Sequence, residues 1–289
     1  MLISNSRVNT FLTCQRREYY SFRERLQPLN RNYGKALTRG IVGHEALEIY
    51  YGAKQDGMPK EYCLNVAIEV VDKAIDDIPE FTNEFLQLQD VLRAYVDLYW
   101  DENWEVLDVE GQYESFLDNS TVEIKYGMRL DLLVKEGKDI ILVDHKFVYN
   151  FFTEKELKMN SQTRKYIKCL RDNGINVKKA ILNQIRYREL KNPNPEKCFK
   201  RTPVISSYQE IDNVVNEHNK VASTIYDLHQ LPMAEHMTQT TMHIDKGTCT
   251  YCAFQPLCKD FLQGVVSTGT KEVLYQNNEY LVDYEKEKE

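Results

Sequence analysis

No run in this chain approaches the roughly 18 consecutive apolar residues that span a bilayer, so no membrane-crossing helix is expected. The first residues, MLISNSRVNTFLTC, hold no long apolar segment ending in small residues. That predicts no secretory leader and an intracellular, cytoplasmic protein. Internal repeats and low-complexity linkers are missing as well. Seven cysteines in such a setting do not imply a disulfide framework; metal binding or simple burial is the expectation. Positive charge is also in short supply: 37 Lys and Arg face 44 Asp and Glu, a net of −7. That total argues against a general nucleic-acid binder, yet phosphate contacts depend on local patches rather than averages.

What is present is enough to build a large core. The 289 residues are 42% hydrophobic, which fits one large domain or one domain with an insertion. Basic residues gather in two stretches. The first, 7–39, holds Arg7, Arg16, Arg17, Arg23, Arg25, Arg31, Lys35 and Arg39; the second is 155–191. Acids concentrate at 69–118 and in the tail YEKEKE. Each patch taken alone reads as a solvated face.

Apolar spacing predicts helices over 5–26 (with Cys14 inside the run), 36–53, 60–77 and 83–101, the last two split by Pro79. The period then changes to two. Residues 104–117 read as a strand, and 121–134 alternate, with Val122, Ile124, Tyr126, Met128, Leu130, Leu132 and Val134 on one face. Glu123, Lys125, Arg129 and Asp131 take the other. A turn at Glu136-Gly137-Lys138 leads into ILVDHKFV (141–148). Because 140–143 is apolar on both faces, this strand is expected at the centre of its sheet. A helix at 154–173 ended by Asn173-Gly174, a strand at 177–190, a loop at 192–198, an edge strand at 199–206 and a helix at 207–230 follow. The order predicts a mixed α/β fold with a central sheet flanked by helices.

The central strand raises a question, because it carries Asp144, His145 and Lys146. In a strand, Asp144 and Lys146 leave the same face and His145 leaves the other. Buried ions are costly unless paired or bound. A tight hairpin would bring Asp131 beside Asp144. Two such carboxylates raise each other's pKa unless a cation lies between them. Hard oxygen ligands suit Mg²⁺ or Mn²⁺, and a lysine one pleat away can polarise a water or neutralise charge on a phosphate. The bland alternative is a structural Asp144–Lys146 ion pair. Two further patterns bear on it. GHEALE (43–48) puts His44 and Glu48 one turn apart on a helix, and SQTRKYIKC (161–169) puts Gln162 and Tyr166 on one helical face.

In this order the motifs resemble those of the PD-(D/E)XK nuclease superfamily, specifically its RecB-like branch. The match runs from Gly40 and His44 through Asp131 and Asp144-His145-Lys146 to Gln162 and Tyr166, covering about 40–170. The second acid is Asp where many relatives carry Glu. The resemblance implies a restriction-endonuclease-like core and a Mg²⁺- or Mn²⁺-dependent DNA nuclease. His44, Asp131, Asp144 and the carbonyl of His145 would be metal ligands, and Lys146 would be catalytic. Gln162 and Tyr166 would shape the site or contact DNA. Tyr19, Tyr20, Phe22 and Tyr33 lie among the first arginines; core packing is the expected use of most of them, with base stacking as the alternative.

CTYCAFQPLC places Cys249, Cys252 and Cys258 at a spacing that suits zinc or three corners of an iron–sulfur cluster. His243 and Cys14 are both candidates for the fourth ligand. Cys63, Cys169 and Cys198 lack ligand spacing and read as buried thiols. The resemblance extends here: AddB-type subunits and CRISPR-associated exonucleases carry one early cysteine and a late C-x-x-C-x(5)-C, which implies a [4Fe–4S] cluster on Cys14, Cys249, Cys252 and Cys258. The implied organisation is an N-terminal helical segment (1–35), a helical region with His44 (36–103), a nuclease core (104–206), a C-terminal helix with the cysteines (207–270) and an acidic tail (271–289). The implied substrate is single-stranded DNA or DNA ends, attacked by an exonuclease alone or within a recombination, repair or CRISPR-adaptation complex. An inactive DNA-binding module and a zinc-stapled accessory protein are the alternatives.

Overall fold

A computed structural model describes residues 1–29, 35–116, 124–186 and 195–278. The chain divides into two compact units. One comprises Tyr33–Ser115 and Gly127–Val215; the other comprises Met1–Asn32, Phe116–Tyr126 and Asn216–Glu289. Among the described residues, no helix is long and apolar enough to cross a membrane.

The first unit is built on a five-stranded mixed sheet. Its order is Glu105–Val109, Leu132–Glu136, Asp139–Val148, Val177–Arg186 and Phe199–Val204. Neighbours run antiparallel, except that Asp139–Val148 and Val177–Arg186 run parallel. Asp139–Val148 is central, as its apolar run predicts, and Ile141, Leu142 and Val143 are wholly buried. Helices Lys35–Gln55, Lys60–Asp77 and Thr82–Tyr99 share one core with the sheet. Their buried residues recur every three or four positions: Val42, Ala46, Tyr50; Cys63, Ala67, Val71; Phe85, Leu88, Leu92. From the sheet come Leu132, Val134, Ile141, Val143, Ile181 and Ile185, one face at period two.

Several boundaries differ from the sequence reading. The single strand expected over 104–117 is two, Glu105–Val109 and Gln112–Phe116, because the chain turns at Glu110-Gly111 with Glu110 at φ +52°. The strand expected over 121–134 is also two, Lys125–Arg129 and Leu132–Glu136, with a bend at Asp131. Its inward set nevertheless holds for Ile124, Tyr126, Met128, Leu130, Leu132 and Val134; Val122 and Glu123 lie outside the described residues. The helix expected over 154–173 is interrupted, giving Glu154–Lys158 and Gln162–Asp172. Asn160 causes the restart, its Oδ1 accepting from the N–H of Gln162 at 2.9 Å. Positions 187–190 of the expected strand and 192–194 of the loop lie outside the described residues.

The second unit has two small cores. Ile3, Val8 and Phe11 meet Ile124, Ala222 and Ile225; Tyr19 and Tyr20 meet Phe254, Leu257 and Tyr275. The single helix expected over 5–26 is not formed. Asn5–Thr13 stops at Cys14, which is extended, and a short helix Gln15–Glu18, a π-turn Tyr19–Arg23 and a strand Leu26–Pro28 follow. That strand pairs antiparallel with Tyr275–Asn277. Tyr19 and Tyr20 are therefore core residues, while Tyr33 and the end of the acidic tail lie outside the described residues.

The two basic stretches are less exposed than their composition suggests. Arg7 is buried against Glu18, and Arg16 donates to Thr240 Oγ1 and to the carbonyls of Met237 and Thr240. Arg39, Arg164 and Lys165 are buried too. Reading them as parts of solvated faces is corrected: their stems and heads sit inside the protein.

Candidate active site

The hairpin register sets the site. Leu132 pairs with Val143, so Asp131 at the bend comes beside Asp144. The N–H of His145 donates to Asp131 Oδ2 at 2.6 Å, fixing that carboxylate. Lys146 rises on the same face as Asp144, and its Nζ lies 2.8 Å from both oxygens of that buried group. It donates to Oδ1; its angle to Oδ2 makes no hydrogen bond, and Oδ2 has no other partner. His44 arrives from helix Lys35–Gln55, with Nδ1 3.7 Å from Asp131 Oδ1. That approach depends on Gly43, because a Cβ there would overlap the ring of Phe147.

Helix Gln162–Asp172 supplies the remaining pieces. Lys146 Nζ donates to Gln162 Oε1 at 3.3 Å, and Gln162 Nε2 donates to the hydroxyl of Tyr166 at 3.2 Å. Gln162 thus holds the lysine rather than standing apart from it. His44, Asp131, Asp144, Lys146, Gln162 and Tyr166 are all brought together. The imidazole of His145 points elsewhere, as strand geometry requires. It stacks on Tyr51 at 5.6 Å between centroids and meets Asn183 Nδ2 at 2.8 Å, which donates in turn to the Tyr95 hydroxyl. This network behind the strand has no sequence signal, since Tyr51, Tyr95 and Asn183 come from three distant segments.

The electrostatics describe a pocket with too many anions for its burial. Desolvation pushes Asp144 up to about 6, against the attraction of Lys146, and Asp131 adds to the rise. Asp131 is likewise raised, first by burial. Burial alone would lower Lys146, but Asp144 and Asp131 outweigh it and hold the ammonium above the usual lysine range. His44 is lowered to about 4 by burial and by Lys146, which leaves a neutral imidazole able to act as a ligand.

Sequence reasoning missed Glu110. A ligand atom from each of His44, Glu110 and Asp131 lies within 4.8 Å of the other two. Burial and the neighbouring Asp131 raise Glu110 to about 7, against the pull of Arg129. Arg129 Nε sits 2.6 Å from Glu110 Oε2, and its Nη2 lies 3.5 Å from Glu48. Carboxylates raised in pKa by burial and crowding, beside an imidazole kept neutral by burial, are a donor set that a hard divalent cation would satisfy.

A second constellation lies in the other unit. Cys14, Cys249, Cys252 and Cys258 line one cavity of about 340 Å³, with Arg17 and Lys259 at its wall. None is in a disulfide. The backbone of His243 links two of them, its N–H meeting Cys14 Sγ at 3.5 Å and its carbonyl accepting from Cys249 Sγ at 3.1 Å. The His243 ring is paired with Asp245 at 2.7 Å. Cys63, Cys169 and Cys198 are fully buried elsewhere.

The family model for the PD-(D/E)XK nuclease superfamily matches residues 2–259. No curated protein matches. Among solved structures, one described as "Crystal structure of SSO0001" is similar at 13% identity and a TM-score of 0.40, over 89% of this chain and 85% of that one.

Proposed function

Since this chain belongs to the PD-(D/E)XK nuclease superfamily, we propose that it is a Mg²⁺- or Mn²⁺-dependent deoxyribonuclease, an exonuclease acting on single-stranded DNA or DNA ends. The observation that carries this reading is the convergence of Asp144 and Lys146, 2.8 Å apart on the central strand, with Asp131 and His44. His44, Asp131, Asp144 and the carbonyl of His145 are the ligands for the ion. When bound, the ion supplies Lewis-acid neutralisation of the phosphate and lowers the pKa of a water. Lys146 orients the attacking water and balances charge building on the phosphate oxygens. Water adds to phosphorus, one P–O ester bond breaks, and the departing oxygen takes up a proton. Gln162 and Tyr166 hold Lys146 in position.

In the same reading, Cys14, Cys249, Cys252 and Cys258 bind a [4Fe–4S] cluster that ties the early and late segments of their unit together, closing a very long loop. What supports a shared thiolate centre is that all four cysteines line one cavity. Protein purified anaerobically is expected to be brown, with broad absorbance near ~400 nm that Cys258→Ser removes; a colourless protein containing zinc would overturn this part.

The experiment for the nuclease is cleavage of DNA labelled at either the 5′ or the 3′ end, single- or double-stranded, with Mg²⁺ or Mn²⁺. Release of label as short products from one end, lost in Asp144→Ala, is the expected result. Internal fragments would replace the exonuclease by an endonuclease. Equal inertness of wild type and variant would favour a DNA-binding module.

A further inference from the structure

We propose that Glu110 is a direct ligand of the divalent ion, alongside His44 and Asp131. This rests on the nuclease reading and extends its ligand set to a residue outside the D-x-K, His and Gln/Tyr motifs.

Four observations lead there. First, an oxygen of Glu110, a nitrogen of His44 and an oxygen of Asp131 lie mutually within 4.8 Å. Octahedral Mg²⁺ at about 2.1 Å from its ligands needs adjacent donors about 3 Å apart and opposite donors about 4 Å apart. Small side-chain adjustments therefore suffice. Second, Asp144 is not in that trio. Lys146 Nζ lies 2.8 Å from each of its oxygens, one of which accepts no hydrogen bond, in a residue that is 2% exposed. A buried, incompletely satisfied carboxylate at the same site is what a cation would complete. Third, the backbone N–H of Glu110 donates to the carbonyl of Asp131 at 3.1 Å. The turn that carries Glu110 is thereby tied to the bend that carries Asp131.

The fourth observation is Arg129. Its Nε lies 2.6 Å from Glu110 Oε2, yet its side chain is 55% exposed. It places a positive charge against Glu110 from the solvent side, and nothing in its exposure prevents it from leaving. We read it as the counter-ion that the divalent cation displaces. A purely structural Glu110–Arg129 pair makes the opposite forecast for Arg129: its loss would leave cation binding unchanged or weaker.

The test is calorimetric titration of the full chain with Mn²⁺ alone, compared with Glu110→Gln, Glu110→Asp, Arg129→Ala and Asp131→Asn, each checked for native circular dichroism. Wild type binds, Asp131→Asn abolishes binding, Glu110→Gln weakens it by about tenfold or more, and Arg129→Ala tightens it. Glu110→Asp keeps the charge and, should the glutamine variant misfold, shows the intermediate loss that a shortened ligand produces. Affinity within twofold of wild type for both Glu110 variants, with Asp131→Asn still abolishing binding, overturns the proposal and leaves the nuclease reading standing. Unchanged or weaker binding by Arg129→Ala overturns it too. A wild type that binds no Mn²⁺ removes the nuclease reading and this ligand with it.

Discussion

Each of the two units contains a carboxylate–histidine cluster with ligand atoms inside the same 4.8 Å limit: His44, Glu110 and Asp131 in one, Glu18, His229 and His236 in the other. Their charge balance separates them. Arg7 Nε lies 2.8 Å from Glu18, and its Nη2 lies 2.7 Å from His229 Nε2. Burial would raise Glu18, but His229 and Arg7 outweigh it and hold the carboxyl below its usual range. Asp131 and Asp144 are raised instead. Carboxylate and imidazole groups within the same limit thus meet a buried guanidinium in one place and a second and third carboxylate in the other. A guanidinium already supplies the charge that a metal would bring to Glu18. The lesson is that ligand geometry alone does not separate the two clusters; the charges packed against them do.

That contrast gives opposite forecasts for removing a carboxylate. Asp131→Asn should lower nuclease activity by on the order of 10³-fold, while a urea melt shows stability unchanged or higher, because a disfavoured buried charge is gone. Glu18→Gln should leave Arg7 buried without its ion partner and cost about 3–5 kcal/mol in the same melt. Any fall in its activity should track the unfolded fraction. A stable Glu18→Gln protein would erase the distinction.

The legibility of the two clusters differed for a physical reason. Asp144, Lys146 and Asp131 could be read because period-two alternation and a hairpin place them whatever the rest of the chain does. His44, Gln162 and Tyr166 were found through helical spacing and the family resemblance. Glu110 escaped because it sits at a turn, in a left-handed backbone conformation rare for a residue other than glycine, inside what reads as one continuous strand. The partners of Arg7 and Arg16 were invisible for another reason: His229 and Thr240 lie more than 200 residues away. The break at Cys14 was hidden inside an apolar pattern that suits a longer helix.

Smaller effects sharpen the comparison. Gly43→Ala forces a methyl into Phe147 beside His44. Overpacking of this kind costs about 1–3 kcal/mol, and the displaced His44 should raise the Mn²⁺ concentration needed for half-maximal activity.

The mildest forecast concerns pH. Burial lowers His236 to about 4, and neither ring nitrogen has a partner. Its unfolded form takes up a proton near pH 6.5, so the unfolded state binds more protons between about 6.5 and 4. Stability is full above that window and falls as pH drops through it. Glu18, with its lowered pKa, withdraws its contribution below about 4.5. Arg7 and Arg23 are the cations near these groups. A shallow decline in melting temperature from pH 7 to 4, flattened in the window above 4.5 by His236→Gln, is the expected profile.

The most direct measurement is single-turnover cleavage of end-labelled DNA by the full chain as Mn²⁺ is titrated, with Lys146→Ala run beside it. Activity that rises with the metal in wild type and stays at background in a folded Lys146→Ala protein is the predicted result. Metal-independent cleavage, or a lysine variant as fast as wild type, would contradict the assignment.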